Sequence, residues 1–122
     1  MGKENVIQTK TYEFAVSIIK VCHKISKEKK EFILTKQLLK SGTSIGANVE
    51  EAIGGQTKKD FYAKLYISYK EARETNYWLR LMKDTDLVDG DLAIKLLNDI
   101  DEILKILGSI LNSMKKNNNY KY

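Results

Sequence analysis

The stretch that decides the fold is SGTSIGANVEEAIGG, residues Ser41–Gly55, which has the composition of a loop. Four of its fifteen residues are glycine, and three of its first six are serine or threonine. Read from Leu34 onward, however, the chain contains a seam, a set of positions that would share one side of a helix and face its neighbours. These positions are separated by alternating steps of four and three residues: Leu34, Leu38, Ser41, Ile45, Asn48 and Ala52. This heptad spacing predicts one continuous helix through the apparent loop.

The glycines of this stretch have two different roles in the predicted helix. Gly42 and Gly46 are interior positions, where each glycine costs about 1 kcal/mol relative to alanine. They lie one turn apart on the same face, which predicts that a neighbouring backbone approaches closely there. Gly54 and Gly55 follow the last seam residue and predict the end of the helix.

Two seam positions, Ser41 and Asn48, carry polar side chains. A buried asparagine needs hydrogen-bond partners, and in coiled coils one such residue fixes the register of the helices. A catalytic role would require a base nearby, and the chain contains one histidine. We therefore interpret both residues as structural.

The composition is typical of a single all-helical domain. The 122 residues include no proline, 43% are hydrophobic and 30% are charged. Cys22 is the one cysteine, so no disulfide forms within the chain, and a reducing cytoplasm is the expected location. No apolar run approaches the roughly 18 residues of a membrane span, and the charged start MGKENVIQTK lacks the apolar core of a signal peptide.

Three further segments have helical periodicity. Their predicted seams are Phe14, Ile18, Val21, Cys22 and Ile25 in the first; Phe61, Leu65, Ser68, Ala72, Thr75, Leu79 and Met82 in the third; and Ala93, Leu96, Ile100, Ile103, Leu107, Ile110 and Met114 in the fourth. Thr57 is a candidate N-cap of the third helix, and Asp89 or Asp91 of the fourth. The predicted helices span about 8–28, 32–54, 58–84 and 90–116, with a frayed tail over 117–122. Short breaks between them predict an all-α, antiparallel up-down-up-down four-helix bundle.

A row of tyrosine and arginine residues runs beside the seam of the third helix, with Ile67, Trp78 and Leu81 on the other flank. Its members are Tyr62, Tyr66, Tyr69, Arg73, Tyr77 and Arg80. Three interpretations fit. In the first, the row and its neighbour form a subunit interface made of Tyr62, Tyr66, Tyr69, Tyr77 and Trp78. In the second, the tyrosines stack on bases while phosphates are contacted by Lys58, Lys59, Arg73 and Arg80. In the third, the row covers the edge of its own bundle.

The net charge of +5 is distributed unevenly. Residues 84–114 hold seven acidic residues against two lysines, whereas the rest of the chain is basic. A basic protein with one acidic segment binds a polyanion, pairs unlike faces of identical subunits, or simply presents a solvated surface.

Catalytic and cofactor motifs are missing from the sequence. Lys20 stands three residues before His23, so the chain has no Glu-x-x-His pair of a di-metal bundle, and it has neither a phosphate-binding G-x-x-x-x-G-K nor a zinc-ligand spacing. His23 falls at the rim of the first helix, where we expect it to be solvated. Glu50 and Glu51 point about 100° apart on a helix, which is unsuitable for an acid and base pair. The sequence predicts neither an enzyme nor a cofactor.

The runs LLKSGTSIGANVEEA (Leu38–Ala52) and DFYAKLYISYKEARETNYWLRLM (Asp60–Met82) resemble the bacterial four-helix bundle proteins encoded within intervening sequences of large-subunit ribosomal RNA genes. The resemblance covers nearly the whole chain and is specific over its middle half. It rests on Gln37, Leu38, Ser41, Ser44, Ile45, Ala47, Asn48 and Glu51, followed by Phe61, Leu65, Glu71 or Ala72, and Glu74. Ser41, Ser44, Asn48 and Glu51 are expected to be a structural family motif.

The resemblance implies properties that periodicity does not show. Related bundles are homopentamers without established enzymatic activity, and a relative, the accessory variability determinant of diversity-generating retroelements, is a basic pentamer that binds nucleic acid and a reverse transcriptase. The resemblance therefore implies a homo-oligomer with RNA or DNA, and a nucleic-acid enzyme, as partners. The alternative is a protein-interaction scaffold with the tyrosine and arginine row sealed in an interface.

Overall fold

The computed structural model describes residues 3–118, which form four helices and no strand. These are α1 (Lys3–Lys29), α2 (Ile33–Ile53), α3 (Lys58–Asp84) and α4 (Gly90–Asn118). α1 begins earlier than the predicted start near residue 8. α4 continues through Asn118, so the first two residues of the predicted frayed tail are helical, and the rest of that tail lies outside the described residues. Over the described range, no helix is both long and apolar enough to cross a membrane.

The helices form an antiparallel bundle in which each helix packs against two neighbours. Contacts between neighbouring helices show that α1 and α2, and α2 and α3, run in opposite directions, and one further contact joins α1 to α4. Between α1 and α2, Gln8 Nε2 bonds to Glu50 Oε2 (2.8 Å) and Cys22 Sγ to Thr35 O (3.5 Å). Between α2 and α3, Ser68 Oγ bonds to Ile45 O (2.8 Å) and Thr75 Oγ1 to Ser41 Oγ (2.9 Å). Between α1 and α4, Lys10 Nζ bonds to Glu102 Oε1 (2.9 Å). The predicted up-down-up-down four-helix bundle is confirmed.

The core consists of the predicted seams with small corrections. All five predicted positions of α1 are buried, as are Leu65–Met82 of the α3 seam and Ala93–Ile110 of the α4 seam. At the seam ends Phe61 and Met114 are only half-buried, and Tyr62 is buried in place of Phe61. The spacing of apolar residues therefore predicted most of the core.

α2 is helical through the glycine-bearing stretch, as predicted. Its seam differs at two positions, since Leu34 and Asn48 are half-buried whereas their neighbours Thr35 and Val49 are buried. Gly42 faces Ile18 of α1, and Val49 lies seven residues after Gly42 on the same side of α2. The buried side of α2 therefore extends towards α1, which covers position 49 and leaves position 48 at its edge.

The helix α1 is the close neighbour that the two interior glycines predicted. A Cβ atom on Gly42 would lie 2.8 Å from Ile18 Cγ2, and a Cβ atom on Gly46 would lie 3.3 Å from the carbonyl oxygen of Thr11. Contacts as short as the first are essentially never seen for real Cβ atoms. The small size of these residues sets the distance between α1 and α2.

The helix ends follow the predicted capping residues, with one addition. Gly54 ends α2 and donates to Glu50 O (3.1 Å), Thr57 Oγ1 accepts from Asp60 N (3.0 Å), and Asp89 Oδ2 accepts from Leu92 N (3.4 Å). The sequence did not predict how α2 begins. There the Glu31 carboxylate accepts from the backbone N–H groups of Ile33, Leu34 and Thr35 at 2.8–3.3 Å, satisfying donors that lack helical partners.

Replacing Gly42 by alanine is expected to destabilise the protein, although alanine is the better helix former. The added methyl group collides with the branched side chain of Ile18, and overpacking of about 1–3 kcal/mol exceeds the propensity gain of about 1 kcal/mol. Gly108→Ala is the matched control, because its Cβ would lie an ordinary 3.7 Å from Tyr69 Cε1. Urea unfolding should give Gly42→Ala a lower free energy of unfolding than the parent chain, and Gly108→Ala a higher one. Equal stabilisation by both substitutions would contradict the close contact.

Candidate interaction surfaces

The structure divides the tyrosine and arginine row of α3 into two halves. In the first half, Tyr62 is only 3% exposed and belongs to the core, and Tyr66 and Tyr69 are half-buried against it. Tyr69 lies over Gly108 of α4. This half of the row covers the edge of its own bundle. Tyr62 is a core residue, and it does not lie on an exposed surface where another subunit could contact it, as the interface interpretation expected.

The second half of the row is exposed. Arg80 Cζ lies 5.8 Å from the centre of the Tyr77 ring, a cation–π distance, and Arg80 Nε donates to Asn76 Oδ1 at 2.8 Å. The Tyr77 and Trp78 rings meet edge to face at 5.2 Å, and Trp78 Nε1 donates to Glu74 Oε2 at 3.0 Å. Hydrogen bonds and ring contacts therefore hold these aromatic and basic groups in place on the surface of α3.

The four candidate phosphate-binding residues, Lys58, Lys59, Arg73 and Arg80, are all exposed on α3. At 1.5 Å per residue, Lys58 and Arg80 are about 33 Å apart along the helix axis. Helical geometry places the four on one side of α3, within an arc of about 100°. They form an extended track of positive charge and do not converge on a pocket.

A buried polar layer joins α2 to α3. Thr75 Oγ1 lies 2.9 Å from Ser41 Oγ and 2.8 Å from the carbonyl oxygen of Glu71, and Ser68 Oγ donates to the carbonyl oxygen of Ile45 at 2.8 Å. Throughout the described residues, every buried side-chain nitrogen and oxygen atom has a hydrogen-bond partner. Ser41 thus links two helices, which is the structural role that the sequence predicted for it.

The other motif residues make contacts that are mostly local. Ser44 Oγ donates to Lys40 O at 2.6 Å, and Asn48 Nδ2 donates to Ser44 O at 2.8 Å, both within α2. Glu51 pairs with Lys64 of α3 at 3.0 Å, and both side chains are largely exposed. The expectation that Asn48 fixes the register between helices is therefore wrong, because its amide bonds to its own helix. Within residues 3–118 no three His, Cys, Asp or Glu side chains are grouped so as to hold a metal ion.

An apolar groove that the sequence did not predict lies on the outer surface between α1 and α2, here called the α1–α2 groove. It has a volume of about 310 Å³ and is lined by Ile19, Cys22, His23, Ser26, Phe32, Thr35, Lys36 and Leu39. Ile19 is 50% exposed, Phe32 60% and Leu39 39%. On α1, Tyr12 lies two turns before Ile19 on the same side and is 70% exposed. Tyr12, Ile19, Phe32 and Leu39 lie outside every predicted seam, and large apolar residues outside the seams were the sequence signal that could have revealed this surface.

Cys22 lies on the floor of the α1–α2 groove, with Sγ 3.5 Å from Thr35 O. Burial raises the pKa of its thiol to about 11, so the thiol is neutral at physiological pH. A nucleophilic cysteine requires a thiolate. Cys22 is therefore a core residue, and His23, exposed at the edge of the same groove, is solvated as predicted.

The buried contact between Ser41 and Thr75 is expected to appear as an energetic coupling. Ser41→Ala and Thr75→Val should each lower the free energy of unfolding by about 1 kcal/mol, and the double variant should lose less than the sum by about 0.5 kcal/mol or more. A matched cycle of Ser68→Ala with Thr75→Val should be additive, because Ser68 has a separate partner. Urea unfolding of both cycles gives the comparison, and additivity in the first would show that the contact does not stabilise the fold.

This arrangement of helices is found in known proteins. One is a protein with unknown function from the S23 ribosomal protein family of Bacteroides thetaiotaomicron, whose sequence is 45% identical to this chain. Its crystal structure matches this one with a TM-score of 0.88, and the match covers 91% of this chain and 99% of that one. No curated protein matches the sequence. The model of the family described as 23S rRNA-intervening sequence protein matches residues 3–109. The chain therefore belongs to the 23S rRNA-intervening sequence protein family.

Proposed function

We propose that this protein acts by non-covalent association: identical copies assemble through the α1–α2 groove, and the assembled protein binds RNA or DNA in the cytoplasm. The observation that carries the first part is the exposure of Tyr12, Ile19, Phe32 and Leu39 on one side of the bundle. Exposed apolar patches bordered by polar residues are typical of protein interaction sites.

The chemistry of the polar residues supports association over catalysis. The buried hydroxyl groups of Ser41, Ser68 and Thr75 are engaged between helices, and Asn48 bonds to its own helix. The Cys22 thiol is buried and its pKa is raised. An active site needs acid, base or nucleophilic groups brought together in a cleft, and these residues are separately engaged.

The track on α3 supports nucleic-acid binding. Lys58, Lys59, Arg73 and Arg80 lie on one exposed side of the helix, and Tyr77 presents an exposed ring between the two arginines. Cationic side chains bind phosphates, and an exposed aromatic ring stacks on an unpaired base. The chain's net charge of +5 acts in the same direction.

A second candidate is a scaffold whose subunit interface is on α3 instead. The observation in its favour is the exposure of Tyr77 and Leu81, within one turn of the half-buried Trp78, and of Ile67 three turns before it. Interfaces are enriched in tyrosine, tryptophan and arginine. In that arrangement Arg73 and Arg80 are covered by a neighbouring subunit, and the α3 track is unavailable to nucleic acid.

Removing apolar groups from the α1–α2 groove is expected to dissociate the protein. Light scattering should give the parent chain the mass of an assembly of two or more chains of 14.0 kDa each. The variant Ile19→Gln/Phe32→Ser should have the mass of a single chain. Serine is a favoured N-cap, so the Phe32 change suits the start of α2. Tyr77→Gln is the matched control and should remain assembled. Dissociation by Tyr77→Gln alone would transfer the interface to α3, and a monomeric parent chain would overturn the proposal.

Neutralising the α3 track is expected to weaken nucleic-acid binding and its dependence on salt. Each phosphate contact contributes about 0.7–0.9 to the slope of log K against log salt concentration, so Arg73→Gln/Arg80→Gln should lower the slope by up to about 2. Lys95→Gln/Lys105→Gln removes the same charge from α4 and is the control. Titration with labelled RNA and DNA at several salt concentrations measures both, and equal losses for the two variants would contradict a binding track on α3.

A further inference from the structure

The α1–α2 groove combines an apolar floor with a cationic border. Ile19, Phe32 and Leu39 provide the apolar surface, Lys36 lies on its wall, and none of the eight lining residues is acidic. Lys20 and Lys27 are exposed on α1 beside it. The Glu31 carboxylate nearby is occupied by the backbone N–H groups that begin α2. The groove is therefore suited to an apolar side chain accompanied by carboxylates.

The outer side of α4 has the complementary arrangement. Ile94 is 49% exposed, and the exposed residues Asp91, Asn98 and Asp101 lie three before, four after and seven after it. Positions with this spacing share one side of a helix. These four residues, here called the α4 stripe, present one large apolar group between two carboxylates.

The two carboxylates of the α4 stripe are without an ion-pair partner among the described residues. Asp99 pairs with Lys95 at 2.9 Å and Glu102 with Lys10 at 2.9 Å. Asp91 and Asp101, by contrast, form no ion pair with any part of the chain that the structure describes. The acidic excess of residues 84–114 is thus available to a partner at the two positions that flank Ile94.

We infer that the α4 stripe of one copy occupies the α1–α2 groove of the next copy. Ile94 then lies against Ile19, Phe32 and Leu39, while Asp91 and Asp101 lie near Lys20, Lys27 and Lys36. This inference rests on the proposed self-assembly and specifies its geometry. Because each chain has one groove and one stripe on different sides of the bundle, the contact joins unlike surfaces, and repetition produces a closed ring or an open filament.

Two double variants test this pairing of unlike surfaces. Lys20→Glu/Lys36→Glu alters only the groove, and Ile94→Gln/Asp101→Asn alters only the stripe; all four positions are exposed. Light scattering should find each variant monomeric at concentrations where the parent chain is assembled. A 1:1 mixture should form a species of twice the 14.0 kDa chain mass and no larger, because one intact stripe meets one intact groove and both remaining surfaces are defective.

The other outcomes separate this inference from the proposed function. If the stripe variant assembles like the parent chain, or if the mixture stays monomeric, the α4 stripe is not the occupant and the inference is overturned while self-assembly stands. A parent chain that is itself monomeric overturns both. Circular dichroism and urea unfolding of each variant exclude dissociation caused by misfolding.

Discussion

The close contact between α1 and the glycine-bearing side of α2 is the constraint on which the rest of the structure depends. Gly42 faces Ile18 and Gly46 faces the backbone at Thr11, so α2 lies nearer to α1 than any larger residue would allow. The glycines weaken α2 as an isolated helix by about 1 kcal/mol each, a cost that packing against α1 must offset. Outside this contact the two helices bring Ile19 and Leu39 to opposite walls of one groove.

The side of α2 that faces α3 adds buried hydrogen bonds to the apolar packing. Ser41 meets Thr75, and Ser68 donates to the backbone of α2, so α3 has one favoured register along it. A slip of one residue would separate Ser41 from Thr75 and would remove the Ser68 bond, and a buried hydroxyl group left unpaired costs about 1–3 kcal/mol. α2 thus contacts one neighbour through its smallest residues and the other through polar residues, which explains why a core helix has the composition of a loop.

The spacing of apolar residues predicted the four helices and most of their buried positions, because burial of one side of a helix imposes a period near 3.6. It failed at Asn48, which is only half-buried, because the side of α2 that packs against α1 brings Val49 into the core instead. For the tyrosine row, periodicity showed that Tyr62 and Tyr69 share a side of α3 but could not show that α4 covers it. The α1–α2 groove was not predicted, since its exposed apolar residues, Ile19, Phe32 and Leu39, lie outside the predicted seams and come together only when α1 and α2 pack side by side.

The proposed assembly joins the exposed apolar groove of one copy to the acidic stripe of another. Carbodiimide crosslinking of a mixture of ¹⁴N- and ¹⁵N-labelled chains tests this most directly, because only contacts between chains give peptide pairs of mixed isotope. Assembly of this kind is expected to give mixed-isotope pairs that join Lys20 or Lys36 of one chain to Asp91 or Asp101 of another. Crosslinks between these residues within single chains only, or mixed-isotope pairs confined to α3, would contradict it.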